Sequence, residues 1–140
     1  MRPVAAQLRI AAGADPGFDV DTVRPAGHAI ELRVNAEDPK RFLPGPGPVT
    51  EWSEPAGDGV RVDAGYTAGT TVTPFYDSLM AKLVVHGRDR AQALDRARAA
   101  VAGFTITGPR CNLPFHAELL EHPDFVSGDY DTALVPRMRP

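Results

Sequence analysis

Three charged residues, Arg61, Asp77 and Lys82, lie where their side chains could take part in chemistry. Arg61 lies in a segment that alternates apolar and polar residues, Asp77 follows two aromatic residues and precedes Ser78, and Lys82 interrupts an apolar run. Their spacing matches no catalytic motif. Because lone charges in strands usually face solvent, the pattern alone favours a hairpin-rich core with a solvated Arg61 and a structural turn at Asp77.

The histidines and the single cysteine do not predict a metal site or a nucleophile. The histidines are His28, His86, His116 and His122, and the last two are too far apart to share one helix face. With one cysteine and no paired-histidine motif, a zinc site is not expected. Cys111 is interpreted as a structural, partly buried thiol rather than a nucleophile.

Phosphate-binding, dinucleotide-binding and serine-hydrolase motifs are also absent from the sequence. The Gly45–Pro48 segment, GPGP, is not a phosphate loop, because proline supplies no backbone N–H and no helix start follows. No cluster of carboxylates indicates a magnesium site. The chain therefore lacks the parts of a self-sufficient enzyme.

The composition indicates one soluble domain. The chain has 140 residues, of which 43% are hydrophobic and 24% charged. A net charge of −3 and a pI near 5.7 argue against a nucleic-acid or anionic-membrane partner. No apolar run approaches the ~20 residues of a membrane-spanning helix. A single cysteine suits a cytoplasmic protein.

Short strands dominate the first two thirds of the chain. Alternation in Val60–Asp63 places Val60 and Val62 on one face and Arg61 and Asp63 on the other. Further strands are predicted at His28–Ala36, Val49–Trp52, an apolar segment ending at Val85, and Phe104–Thr107. Thr70–Thr73 is a β-branched run. Asp15–Ala26 and the Pro/Gly-rich Arg41–Pro48 are predicted as loops. Glu31 and Arg33, on the polar face of the first of these strands, are interpreted as a structural pair. Phe42 and Leu43 in the second loop are interpreted as buried anchors.

Helices are predicted at Val4–Ala12, Arg90–Ala102 and Leu113–Glu121, with Asp89 and Asn112 as N-caps of the last two. His122–Pro140 is predicted to be mostly turn and loop, with Phe125 and Leu134 as anchors. Together these elements indicate an α+β fold: a mainly antiparallel sheet with two or three helices, not a doubly wound fold.

Five segments in order resemble one known family. They are QLRIAAG (Gln7–Gly13), GHAIELRVNAEDP (Gly27–Pro39), RFLPGPGPVTEW (Arg41–Trp52), GVRVDAGYTAGTTVTPFYDSLMAKLVVHG (Gly59–Gly87) and the R-x-x-A-L-x-R-x-R-x-A helix. This series resembles the C-terminal domain of biotin carboxylase, an ATP-grasp ligase of acetyl-CoA, propionyl-CoA, methylcrotonyl-CoA and pyruvate carboxylases. The resemblance extends from Gln7 to about Tyr130.

The resemblance implies a shared reaction that this chain does not complete. The family uses ATP to activate bicarbonate and then carboxylates N1′ of protein-linked biotin, and its ATP and magnesium sites precede the part found here. Residues 1–13 are expected to be the end of the helix that links the central domain, and residues 14–140 the C-terminal domain. The chain is then an excised domain or a truncated product, inactive by itself.

The resemblance also assigns one site residue. Arg61 matches the family arginine that contacts the biotin ureido ring and stabilises its anion, which makes it the predicted catalytic and biotin-binding residue. Asp77, Ser78 and Lys82 are possible supporting residues. The implied partners are the rest of the carboxylase chain, the biotin carrier domain, the carboxyltransferase and a second copy in a homodimer, with His86–Arg90 near that copy. The alternative is a non-catalytic module that binds another carboxylase subunit.

Overall fold

The computed structural model describes residues 3–139. Its helices are α1 (Pro3–Ala11), α2 (Arg90–Gly103), α3 (Leu113–Glu121), α4 (Pro123–Ser127) and α5 (Leu134–Met138). Its strands are β1 (His28–Asn35), β2 (Gly47–Pro48), β3 (Glu51–Ser53), β4 (Val60–Ala64), β5 (Thr71–Val72), β6 (Leu79–Gly87) and β7 (Thr105–Thr107). The predicted segments 1–13 and 14–140 include residues 1, 2 and 140, which lie outside the described residues.

The central sheet is antiparallel and has the order β1-β6-β4. Two smaller antiparallel pairs, β2-β5 and β3-β7, accompany it. The α+β class with a mainly antiparallel sheet is therefore confirmed, although the described residues form five helices rather than two or three.

Alternation gives the central sheet two different faces. The inner face packs into the core and carries Leu32, Leu83 and Val85, which are 3%, 0% and 0% exposed. The opposite face, which we call the outer face, is polar. It carries these residues: Glu31, Arg33, Arg61, Asp63, Lys82 and Val84. Since successive side chains of a strand point to opposite sides, each apolar residue placed inside puts its neighbours on the outer face.

Helix α2 covers the inner face and holds the sheet in place. Asp89 caps its first turn by accepting a hydrogen bond from the N–H of Gln92, at 2.8 Å, as predicted. Three buried alanines, Ala93, Ala97 and Ala100, lie along the helix. Their small side chains let the helix approach the buried face of the sheet closely.

The predicted cap of helix α3 is wrong. Asn112 precedes the helix, but its side chain makes no capping hydrogen bond. Its Oδ1 instead accepts from the N–H of Asn35, and its Nδ2 donates to the carbonyl of Arg33, both at 2.9 Å. Asn112 is only 6% exposed. It therefore joins the start of α3 to β1.

The loop predicted for the chain end is also wrong, because α4 and α5 lie there. Arg90 of α2 holds α4: its guanidinium lies 5.2 Å from the ring centroid of Phe125 and donates to the carbonyls of Phe125 and Val126. Phe125 and Leu134 are buried, which confirms them as anchors.

Smaller differences occur in the loops. Leu43 is 53% exposed, so it is not the predicted anchor, whereas Phe42 packs edge-on against Phe115 with ring centroids 5.0 Å apart. The segment predicted as a loop at 15–26 holds a short 3-10 turn, Val20–Thr22. Strand β2 lies at the end of the predicted Pro/Gly loop and pairs with β5.

Within residues 3–139, no helix is both long and apolar enough to cross a membrane.

Candidate functional site

Arg61 projects from the outer face on β4, an edge strand of the central sheet. It lies on β4 between Val60 and Val62, which are half-buried on the inner side. The Arg61 side chain is 68% exposed. Strand β4 begins after Gly59, whose φ of +70° suits glycine, and a Cβ at that position would overlap the carbonyl oxygen of His86. The turn thus lets β4 pair with β6 and leaves the guanidinium accessible.

Asp63 is the ionic partner of Arg61. Two residues further along β4 and on the same face, its Oδ2 lies 3.2 Å from Nη2 of Arg61. The Asp63 side chain is 52% exposed. The guanidinium is therefore held along the strand direction at one nitrogen, while its other N–H groups remain available as donors.

Register places Lys82 beside this pair. Lys82 on β6 lies opposite Asp63 on one side and Arg33 on the other. Two residues further along β6, Val84 lies on the same face between Arg61 of β4 and Glu31 of β1. The outer face thus carries three basic and two acidic side chains among its described residues, an excess of positive charge that favours an anion.

The predicted Glu31–Arg33 pair is not observed. Both side chains are exposed on the outer face, and no ion pair joins them among residues 3–139. Two residues apart on one strand, they point the same way without meeting.

Asp77 and Ser78 lie far from Arg61. They precede β6, and Asp77 is seven residues from Val84, the cross-strand neighbour of Arg61. At about 3.3 Å per residue, the strand from Leu79 to Val84 alone spans roughly 16 Å. Both make local structural hydrogen bonds: Asp77 Oδ1 accepts from the N–H of Leu79 at 2.8 Å, and Ser78 Oγ donates to Oε1 of Glu37 at 2.5 Å.

The Asp77–Ser78 loop borders a separate cavity. Its volume is about 280 Å³, and its walls include Pro44, Pro46 and Tyr76 as well as this loop. Of the three possible supporting residues, Lys82 therefore lies on the same face as Arg61, opposite Asp63, and the other two lie in a separate loop.

The sequence matches the family model described as "Biotin carboxylase C-terminal domain" over residues 31–137, a range that contains the whole outer face. The chain belongs to this family.

Relatives of the biotin carboxylase C-terminal domain agree in sequence and in structure. Biotin carboxylase 1 of Bacillus subtilis is 40% identical over 130 residues, which are 92% of this chain and 29% of that protein. The biotin-dependent acyl-coenzyme A carboxylase alpha3 subunit of Mycobacterium leprae is 43% identical over 133 residues, 94% of this chain and 22% of the subunit.

A solved structure has the same fold. It is the biotin carboxylase domain dimer of the Hydrogenobacter thermophilus 2-oxoglutarate carboxylase, in complex with MgADP, ADP and bicarbonate. It superimposes with a TM-score of 0.88 at 36% identity and covers 94% of this chain and 29% of that one. The chain thus spans about three tenths of the length of relatives such as the Bacillus protein. These relatives are carboxylases or carboxylase subunits, so they support the carboxylase interpretation over a non-catalytic module.

The remaining candidate residues of this biotin carboxylase domain have structural surroundings. Burial raises the pKa of the Cys111 thiol, partly opposed by a hydrogen bond from the N–H of Leu113, so the nucleophilic thiolate is disfavoured. His86 Nε2 donates to the carbonyl of Ala26 at 2.9 Å, and His122 Nδ1 accepts from the N–H of Asp124. Within residues 3–139, no three His, Cys, Asp or Glu residues are grouped as a metal site.

Sequence reasoning missed Asp63 as a site residue. The available signal was its position two residues after Arg61 on the same polar face, where opposite charges can meet, although the same spacing leaves Glu31 and Arg33 apart. It also missed a buried polar cluster on the other side of β1, in which His116 Nε2 donates to the carbonyl of Arg33 at 2.9 Å. His116 is 7% exposed, and no alternation or motif marks its partner in the sequence.

Proposed function

We propose that this chain acts as the C-terminal domain of a biotin-dependent carboxylase and that Arg61 stabilises the biotin anion during carboxylation. One observation carries the proposal: on β4, an edge strand of the central sheet, a permanently charged guanidinium stands 68% exposed on a polar face whose other side is core. An arginine that only served stability would instead be expected to bury part of its side chain or complete a network.

The chemistry suits a guanidinium. Carboxylation of N1′ of biotin requires loss of its proton, and the negative charge then develops on the ureido oxygen. Arginine remains charged at any physiological pH and offers several N–H donors in one plane. Donors aimed in advance at a developing oxyanion lower the barrier without reorganising during the reaction.

The sheet supplies the required rigidity. Leu83 and Val85 of β6, the strand beside β4, are fully buried. Strand β4 keeps its register with β6 from Val60 to Ala64. A guanidinium placed on such a strand is displaced only if packed core residues move, which costs free energy.

The other components of the reaction belong, in this proposal, to parts of the carboxylase outside this chain. ATP, Mg²⁺ and bicarbonate bind in preceding domains, and biotin arrives as a substrate linked to a carrier domain. A carboxyltransferase then uses the carboxylated biotin, and two copies form a homodimer. The ligands and dimer of the Hydrogenobacter thermophilus domain support this arrangement.

The test uses the full-length carboxylase that contains this domain and compares Arg61→Ala with the unmodified enzyme. Loss of one charge-stabilising donor typically lowers turnover by ~10²–10³-fold. We expect this loss in biotin carboxylation, with the KM for ATP unchanged. Arg61→Lys keeps the charge but loses the planar fork, and should recover only part of the activity.

Arg110→Ala is the matched control. Arg110 is exposed to the same extent (69%) and also pairs with one aspartate, Asp38, at 2.8 Å, but it lies in the loop before α3. It should leave turnover unchanged. If Arg61→Ala instead lowers the melting temperature while turnover per folded molecule is preserved, Arg61 is a structural residue and the proposal fails.

A further inference from the structure

We infer that Asp63 is a positioning residue for Arg61. This inference rests on the role proposed for Arg61 above. The two side chains lie on one face of β4, two residues apart, with Oδ2 and Nη2 separated by 3.2 Å. The contact is local, because both residues belong to β4.

The exposure of the pair argues against a role in stability. The side chains are 68% and 52% exposed, and ion pairs that are open to solvent contribute little to the free energy of unfolding. Such a contact instead gives the guanidinium of the arginine a preferred orientation. An unpaired arginine samples many rotamers, whereas one nitrogen held by a carboxylate restricts the plane of the guanidinium.

The surroundings of Asp63 fit this role. A carboxylate near a developing anion would ordinarily disfavour that anion. Here Lys82 of β6 lies directly opposite Asp63 in the strand register. Asp63 therefore has Arg61 as its ion-pair partner and a second basic residue at the neighbouring position of β6.

The geometry leaves Arg61 competent to bind. Asp63 contacts Nη2, so the N–H groups on Nη1 and Nε remain as donors for an oxyanion. Asp63 thus aligns the donors of Arg61 before biotin arrives, which reduces the ordering required in the transition state.

The test is a double-mutant cycle in the full-length carboxylase with Arg61→Ala, Asp63→Asn and both together. We expect Asp63→Asn to lower turnover roughly tenfold, less than the ~10²–10³-fold loss of the donor itself. The KM for ATP should not change. Asp63→Glu, which keeps the carboxylate, should recover most of the turnover.

The double variant separates positioning from an independent effect. If Asp63 acts through Arg61, adding Asp63→Asn to Arg61→Ala changes turnover by less than about twofold. Asp95→Asn is the control, since Asp95 also pairs with an arginine, Arg98 at 3.1 Å, but on α2. It should not alter turnover.

Several results would overturn the inference. Turnover of Asp63→Asn that is unchanged or increased would show that the carboxylate does not position Arg61. A full additional loss in the Arg61→Ala background, or a lowered melting temperature for Asp63→Asn, would assign Asp63 another role. If Arg61→Ala itself retains full turnover, the proposed function fails first, and this inference with it.

Discussion

Replacing Asn112 with aspartate tests whether this residue caps a helix or joins two elements. As an N-cap of α3, aspartate would serve as well as asparagine, and its charge near the helix N-terminus would add ~0.3–1 kcal/mol of stability. The observed contacts predict the opposite sign. Asn112 uses both ends of its amide, as an acceptor from Asn35 and as a donor to the carbonyl of Arg33.

The magnitude follows from the atom that changes. Aspartate keeps the acceptor toward Asn35 but turns a second oxygen toward the Arg33 carbonyl, in a site that is 6% exposed. Either a charged oxygen faces that carbonyl, or the aspartic acid takes up a proton and donates its O–H. From an ordinary Asp pKa near 3.9, protonation costs about 4 kcal/mol at pH 7 and about 1.5 kcal/mol at pH 5. We therefore expect a destabilisation of roughly 2–4 kcal/mol at pH 7 that becomes smaller at pH 5.

The assay is urea unfolding of the chain followed by far-ultraviolet circular dichroism, at pH 7 and pH 5, with wild type measured at each pH. Gln92→Glu is the matched control. It also converts an amide to an acid in the first turn of a helix, but it keeps the oxygen that accepts from the N–H of Arg88. Its unfolding midpoint should change little. If Asn112→Asp is as stable as wild type or more stable at pH 7, Asn112 does not join α3 to β1, and the interpretation as an N-cap holds.

Other predictions concern acid stability, activity and association. Burial lowers the pKa of His116 below 6.5, although its hydrogen bond to the Arg33 carbonyl opposes the shift, so the unfolded state binds the proton more readily. The free energy of unfolding should therefore fall as pH drops from about 6.5 toward the lowered pKa. His116→Gln, which keeps a donor, should make the free energy of unfolding depend less steeply on pH. Equal slopes for the variant and wild type would contradict this prediction. The purified chain should show no bicarbonate-dependent ATP cleavage; activity above contaminant level in a coupled assay would disprove this. Exposed apolar side chains such as Leu8 (68%), Phe75 (83%) and Tyr76 (84%) should cause self-association. A strictly monomeric species in sedimentation at high concentration, without binding of a hydrophobic dye, would argue against that.

Several features of this domain follow from the sequence because their causes are local. Alternation over Val60–Asp63 places Arg61 on the polar face whatever the neighbouring strands are, since successive side chains of a strand point to opposite sides. Asp89 caps α2 because its acceptor reaches only three residues ahead, to Gln92. Ordered motifs also identified the family, which the match over residues 31–137 confirms.

Other features depend on residues that meet only after folding. The register of β6 brings Lys82 to Asp63 and keeps Asp77 distant, although all three charges lie within one short stretch of sequence. Arg90 contacts α4 from 35 residues away through Phe125, and this helix is one that local composition does not indicate.

Asn112 shows the physical reason most directly. By type and position it is a good cap, and a local rule predicts that role. The side chain instead forms two hydrogen bonds to β1, with Asn35 and Arg33, 77 and 79 residues away. These hydrogen bonds are part-buried, and leaving a backbone group there without a partner costs free energy that a capping hydrogen bond would not recover. That competition is decided only when α3 packs against β1, which makes it a property of the tertiary structure.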